Sequence, residues 1–154
     1  MNNRPNNNKR KSKGSMYFDP LINQFNGDIF KAPQNILISK LKKLVIDMIR
    51  GNVSYEKYGK YFTPEFIYYL AEYVTLKYNE ALYLQDMSYH YKNLHPDSSY
   101  AQQKAAVYQN QLNAWQIIKT NTDYLHATGD VQTVLTRIPN QMRDNYKNTI
   151  KIDD

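Results

Sequence analysis

The sequence predicts an all-α protein: a long antiparallel helical hairpin packed with one or two shorter helices, preceded by an extended apolar strap and a disordered basic N-terminal arm. Three observations predict it. Residues 65–94 form an unbroken stretch without glycine or proline, residues 97–128 form a second, and only His95-Pro96 separates the two. Two long helices joined by so short a turn must fold back on each other. No run of residues alternates apolar and polar as a half-buried strand does. At 154 residues the chain is the size of one domain. The expected division is an arm over 1–15, a strap over 16–33 and a single helical domain over 34–154.

The arm, MNNRPNNNKRKSKGS, carries Arg4, Lys9, Arg10, Lys11 and Lys13, no acidic residue and no apolar side chain beyond Met1. Such a segment cannot offset the entropy of its own ordering. The strap, MYFDPLINQFNGDIFKAP, presents Phe18, Leu21, Ile22, Phe25, Ile29 and Phe30 without helical spacing, and Pro20, Asn26-Gly27 and Pro33 read as breakers. These apolar groups need a groove, in the protein's own body or in a neighbour. Ile38, Leu41, Val45, Met48 and Ile49 then predict an amphipathic helix over roughly 36–50, with Asn35 as its N-cap and Gly51 past its end. NVSYEKYGKYF is a tyrosine-rich connector.

The long helix over 64–94 has Thr63 as cap, Pro64 at its first position and Glu65 near its positive end. Asp97 or Ser98 starts its mate, which Gly129 closes. VQTVLTRIPNQMRDNYKN predicts a shorter helical piece broken at Pro139, after which the chain frays. On the 64–94 helix the polar positions Glu72, Thr75, Asn79, Asp86, His90 and Asn93 form one narrow stripe. Ile67, Leu70, Val74 and Ala81 lie on one flank of the remainder. Phe66, Tyr69, Tyr73, Leu76, Leu84, Met87, Tyr91 and Leu94 lie on the other, so the apolar arc is wider than one packing partner covers. Either the first helix and the strap cover the excess, or a second subunit does. Gln102, Gln109, Gln111 and Gln116 belong to a mate nearly free of charge, and they are candidates for a subunit interface that avoids desolvating ions. The alternative is a solvated face of biased composition.

No motif for catalysis or cofactor binding emerges. His90 and Asp86 share a helix side but lack a third ligand, His95 and His126 suit helix-end capping, and no Glu-x-x-His pair occurs. The glycines are single, which excludes a phosphate loop, and there are no cysteines, which excludes thiolate metal sites and disulfides. No catalytic residue, metal, cofactor or small-molecule substrate is expected. No segment approaches the length of a membrane span, and the start lacks the apolar core of a signal peptide. Tyr55, Tyr58 and Tyr61 interleave with Lys57 and Lys60, as in base-stacking platforms, although packing on the body is the commoner reason for such spacing.

Of 20 basic and 14 acidic residues, five basic ones belong to the arm, and the remainder is nearly neutral at 15 against 14. The arm is therefore the element able to hold a phosphate backbone, without sequence preference. It equally suits an import signal or an assembly arm that orders on a neighbour. Arm, strap and long hairpin together are similar in layout to the small helical connector or ring proteins between portal and tail in tailed phages. That resemblance implies a non-enzymatic all-α subunit of the virion, assembled in the host cytoplasm, present as a ring of about a dozen copies whose termini fold onto neighbours. The expected partners are further copies of the chain and other structural proteins, with non-specific nucleic acid as the alternative partner of the arm.

Overall fold

The structure, a computed structural model, describes residues 14–142 and 144–151. It is all-helical among the described residues, and the antiparallel hairpin dominates it. Arg4, Lys9, Arg10, Lys11 and Lys13 lie outside the described residues.

The segment expected as an extended strap folds instead. Helix α1, Phe18–Gln24, buries Phe18, Leu21 and Ile22, and a 3₁₀ turn, Ile29–Lys31, buries Ile29. Pro20 does not break α1 because it occupies the first turn, where its missing N–H has no intrahelical partner to lose. Asn26 (φ 55°) and Gly27 (φ 88°) then end the helix in the left-handed region, and the Gly27 N–H donates to the Ile22 carbonyl at 2.8 Å. Asp28 restarts the chain by accepting from the Phe30 N–H. Phe25 and Phe30 pack half-buried on the same core. The strap thus lies in its own body. Its four fully buried side chains are unavailable to a neighbour.

Helix α2, Gln34–Ile49, begins directly after Pro33 with no side-chain cap, so Asn35 is not the N-cap. Its buried stripe is Leu37, Leu41, Leu44, Val45 and Met48, whereas Ile38 faces outward. From Leu44 to Ile49 every residue is buried, because the core wraps the end of α2 completely. Gly51 (φ 75°) closes it, with the Asn52 N–H donating to the Asp47 carbonyl. The connector becomes a short helix, α3, Tyr55–Tyr58, capped by Ser54, and a 3₁₀ turn, Gly59–Tyr61.

Helix α4, Pro64–Leu94, starts where Thr63 accepts from the Phe66 N–H at 3.2 Å. Helix α5, Ser99–Thr128, starts at Ser98, which accepts from the Ala101 N–H at 3.1 Å, and ends at Gly129 (φ 73°). Helix α6, Val131–Gln141, is capped by Asp130 and continues past Pro139, which removes only one hydrogen bond in the final turn and so does not break it. Helix α7, Asp144–Lys147, follows, and Ile150 is buried on the core where fraying was expected.

The core has two parts. Phe18, Tyr58, Phe62 and Phe66 form an aromatic cluster with ring centroids 5.1–6.1 Å apart. Around it Leu44, Leu70, Val74, Ile118, Leu125 and Val134 join α2, α4, α5 and α6. Only the base of the hairpin enters this core. Between Leu82 and Val107 the buried residues are Ser88, Ala101 and Ala105 alone. The outer half of the hairpin is therefore a two-helix projection, held by a seam of small side chains that allows close approach.

Candidate interaction surface

The projection carries large apolar groups that nothing in the described chain covers. On α4, Leu76 is 67% exposed, Tyr83 63%, Met87 45% and Leu94 64%. At about 100° per residue these four fall within about 40° of one another. The seam residues Ala81 and Ser88 point about 130° away from them. They belong to the flank of α4 that the sequence marked as too wide for one partner, extended by Tyr83. At the base of that flank Phe66 is buried, and Tyr69 and Tyr73 are half-buried against the core, with Tyr73 edge-on to Trp115 at 6.3 Å. Beyond Tyr73 only Leu84 of that flank stays half-buried. Tyr100 and Val107 of α5 are exposed as well.

The glutamines separate into different roles. The Gln85 side-chain amide donates to Gln109 at 3.0 Å, Gln109 donates to Asn113 at 3.0 Å, and Asn113 donates to the Tyr146 hydroxyl at 3.3 Å. Gln109 thus fastens the two long helices and α7 within one chain. Gln111 faces another direction and lines a cavity of ≈ 230 Å³ with Lys42, Lys77, Glu80 and Trp115. Gln102 is exposed and donates to the Pro96 carbonyl, and Gln116 is exposed farther along. Gln102, Gln109 and Gln116 share a helix side at intervals of seven. Gln111 does not join them, so the four do not make one surface.

A buried polar cluster fixes the start of the folded body. Ser15, the last residue of the predicted arm, is 1% exposed, and Asp47 is fully buried. The Ser15 hydroxyl donates to Asp47, and the Tyr17 N–H donates to the same carboxylate oxygen at 2.9 Å. The Ser15 N–H donates to the Tyr58 hydroxyl at 2.5 Å, and that hydroxyl donates to Asp19 at 2.6 Å. Lys57 lies 3.4 Å from the other Asp19 oxygen. Burial, the bond to Asp19 and the charges of Asp19 and Asp47 hold the Tyr58 phenol protonated well above the usual tyrosine range. Solvent does not reach Ser15 and no histidine adjoins it. The cluster fixes Ser15 and Tyr17 to α2 and Ser15 to α3. Of the tyrosine triad, only Tyr55 is exposed, so it forms no stacking platform.

The remaining titratable groups stay apart. No three acidic or histidine side chains converge as metal ligands among the described residues. The His95 ring packs on Tyr91 at 4.4 Å while its backbone N–H caps α4, and the His126 ring lies edge-on to Tyr68 at 6.2 Å. Hydrogen bonds from the Thr133 side chain, the Thr133 N–H and the Tyr124 hydroxyl hold the Asp130 carboxyl below the usual range. No described helix is long and apolar enough to cross a membrane. Compared with known proteins, the chain matches no family model, no curated protein and no solved structure, so its functional reading rests on its own residues.

Proposed function

We propose that the protein is a non-catalytic structural subunit that works by assembly, a multi-copy virion component of the head–tail connector kind put together in the host cytoplasm. The observation that carries this reading is the uncovered flank of the α4 projection, Leu76, Tyr83, Met87 and Leu94. Covering such a surface is favourable by about 25 cal/mol per Å², the term that drives most protein association. The partners are further copies of the chain and other structural proteins. A ring needs two contact surfaces on each subunit, whether it closes head to tail or from two-fold pairs. Tyr100 and Val107, which share a side of α5, supply a second one.

The concentration of charge favours a second role for the arm. Five cations on a segment attached to a nearly neutral body give weak, salt-sensitive attachment to nucleic acid or to an acidic protein surface. Light scattering on a size-exclusion column, with absorbance at 260 and 280 nm, separates the two roles. A discrete multimer free of nucleic acid that survives high salt is the expected result. A monomer at every concentration refutes assembly, and a monomer that carries nucleic acid only at low salt transfers the function to the arm.

A further inference from the structure

We infer that two copies pair through α4 in an antiparallel, two-fold arrangement, with the exposed stripe Leu76, Glu80, Tyr83, Met87, His90 and Leu94 serving as its own complement. The inference rests on the assembly reading and names the partner of the flank that carries it. All six side chains are exposed. Their intervals are four, three, four, three and four residues, the spacing of a heptad seam. The stripe runs for about 27 Å at 1.5 Å per residue.

The order of residues along the stripe is what selects the partner and its direction. An isologous contact requires that residue i meet j and j meet i. With the two helices antiparallel about position 85, Leu76 meets the partner's Leu94, Glu80 meets the partner's His90, and Tyr83 meets the partner's Met87. Every layer then pairs like with like in polarity, and the polar layer, which the two-fold axis repeats, sets a carboxylate against an imidazole N–H donor. Glu80 already engages Lys77 at 2.7 Å through one oxygen. In heptad terms each layer joins an a position to a d position, as antiparallel coiled coils do. Parallel pairing instead sets Glu80 on Glu80 and His90 on His90, which electrostatics disfavours. Sliding the antiparallel pair by one heptad toward the body brings the stripe onto Tyr69 and Tyr73, which the core already holds. Sliding it the other way runs off the end of α4 at Leu94. Centring on position 85 uses all six layers. On the flanks it brings Leu84 against the partner's Leu84 and Asp86 near the partner's Asp86, so Asp86→Asn strengthens the pair by removing a rim repulsion.

The absence of cysteine from the chain makes the register directly measurable. Tyr83→Cys and Met87→Cys proteins, each altered at an exposed site, are oxidised mildly alone and as a mixture. The antiparallel pair gives cross-linked dimer from the mixture and loses it when either variant is alone. Cross-linking of each variant alone, as in a parallel pair, overturns the inference. A wild-type multimer with no cross-link under any condition overturns this pairing and leaves assembly standing. A wild-type monomer overturns both. Leu76→Glu with Leu94→Glu serves as the second variant. It is expected to abolish the dimer without change in helical circular dichroism, and a dimer that survives it refutes the stripe.

Discussion

Replacing Tyr58 by phenylalanine isolates the polar anchor at the start of the body. The ring stays, with its contact to Phe18 at 5.3 Å, and only the hydroxyl goes. Two hydrogen bonds go with it, the one it accepts from the Ser15 N–H at 2.5 Å and the one it donates to Asp19 at 2.6 Å. Ser15 is 1% exposed, so its N–H is left buried without an acceptor, at a cost of about 1–3 kcal/mol. Asp19 is partly exposed and regains water, so its lost charged bond adds about 1 kcal/mol, below the usual range for such bonds. The expected destabilisation is about 2–4 kcal/mol. For a chain of this size that lowers Tm by about 4–16 °C. Urea unfolding followed by circular dichroism at 222 nm measures it. The same variant tests a pH dependence. Because the folded protein keeps the Tyr58 proton above the pH at which the unfolded chain releases it, the contribution of Tyr58 is complete below about pH 10. It is lost above that, at about 1.4 kcal/mol per pH unit. Tyr73 is held protonated in the same direction by burial and by Glu80, so the variant keeps that part of the alkaline loss and sheds the Tyr58 part. A Tyr58→Phe protein within 0.5 kcal/mol of wild type, on the scale of ordinary surface substitutions, refutes the anchor.

Three further outcomes follow from the packing. Ala105→Leu forces a large side chain into the small-residue seam of the projection, where Ala105 is 1% exposed, and destabilises by about 1–3 kcal/mol in thermal unfolding. Asp130→Ala removes the cap of α6 and lowers stability in the same assay. It also removes a carboxyl held below the usual range, so wild-type stability that fades as pH falls through the acid range fades less in the variant. Gln109→Glu with Gln111→Glu removes the donor to Asn113 and costs about 1 kcal/mol in urea, while light scattering shows the oligomer unchanged. Loss of the oligomer instead moves the subunit contact to the glutamines of α5.

The hairpin was legible because its signals are local. Thr63-Pro64, Ser98 and Gly129 are cap chemistry readable within a few residues, and each stands where that chemistry places it. The folding of 16–33 was not legible, because Pro20 and Asn26-Gly27 are compatible with a loop and equally with the first turn and the end of a short helix. Only the core decides between them. The register of α2 slipped for a related reason: its last six residues are buried all round and give no periodicity to read. The Ser15, Asp47 and Tyr58 cluster joins residues 43 apart in sequence, and no local pattern announces it. For the candidate surface the width of the apolar arc on α4 was the correct signal. What escaped was Tyr83, along with Glu80 and His90, which read as solvated polar positions. The seven-residue steps from Leu76 to Tyr83 and from Met87 to Leu94 were the mark that identifies them.

The anchor of the N-terminal segment also sets a schedule for synthesis. Phe18, Leu21 and Ile22 leave the ribosome before the residues that bury them, since the Ser15 contact to Tyr58 spans 43 residues. At about 5–20 residues per second that interval is roughly 2–9 s, far longer than the microseconds in which a helix forms. The early segment therefore waits as an uncovered apolar tail, and the aromatic cluster closes only when Phe62 and Phe66 arrive. The projection of α4 and α5 needs no such delay, because its two helices meet across a turn of a few residues. In a nascent chain the aromatic cluster can close before the projection is made, whereas the rest of the base waits for Ile118, Leu125 and Val134 of α5 and α6, so the base is sealed last.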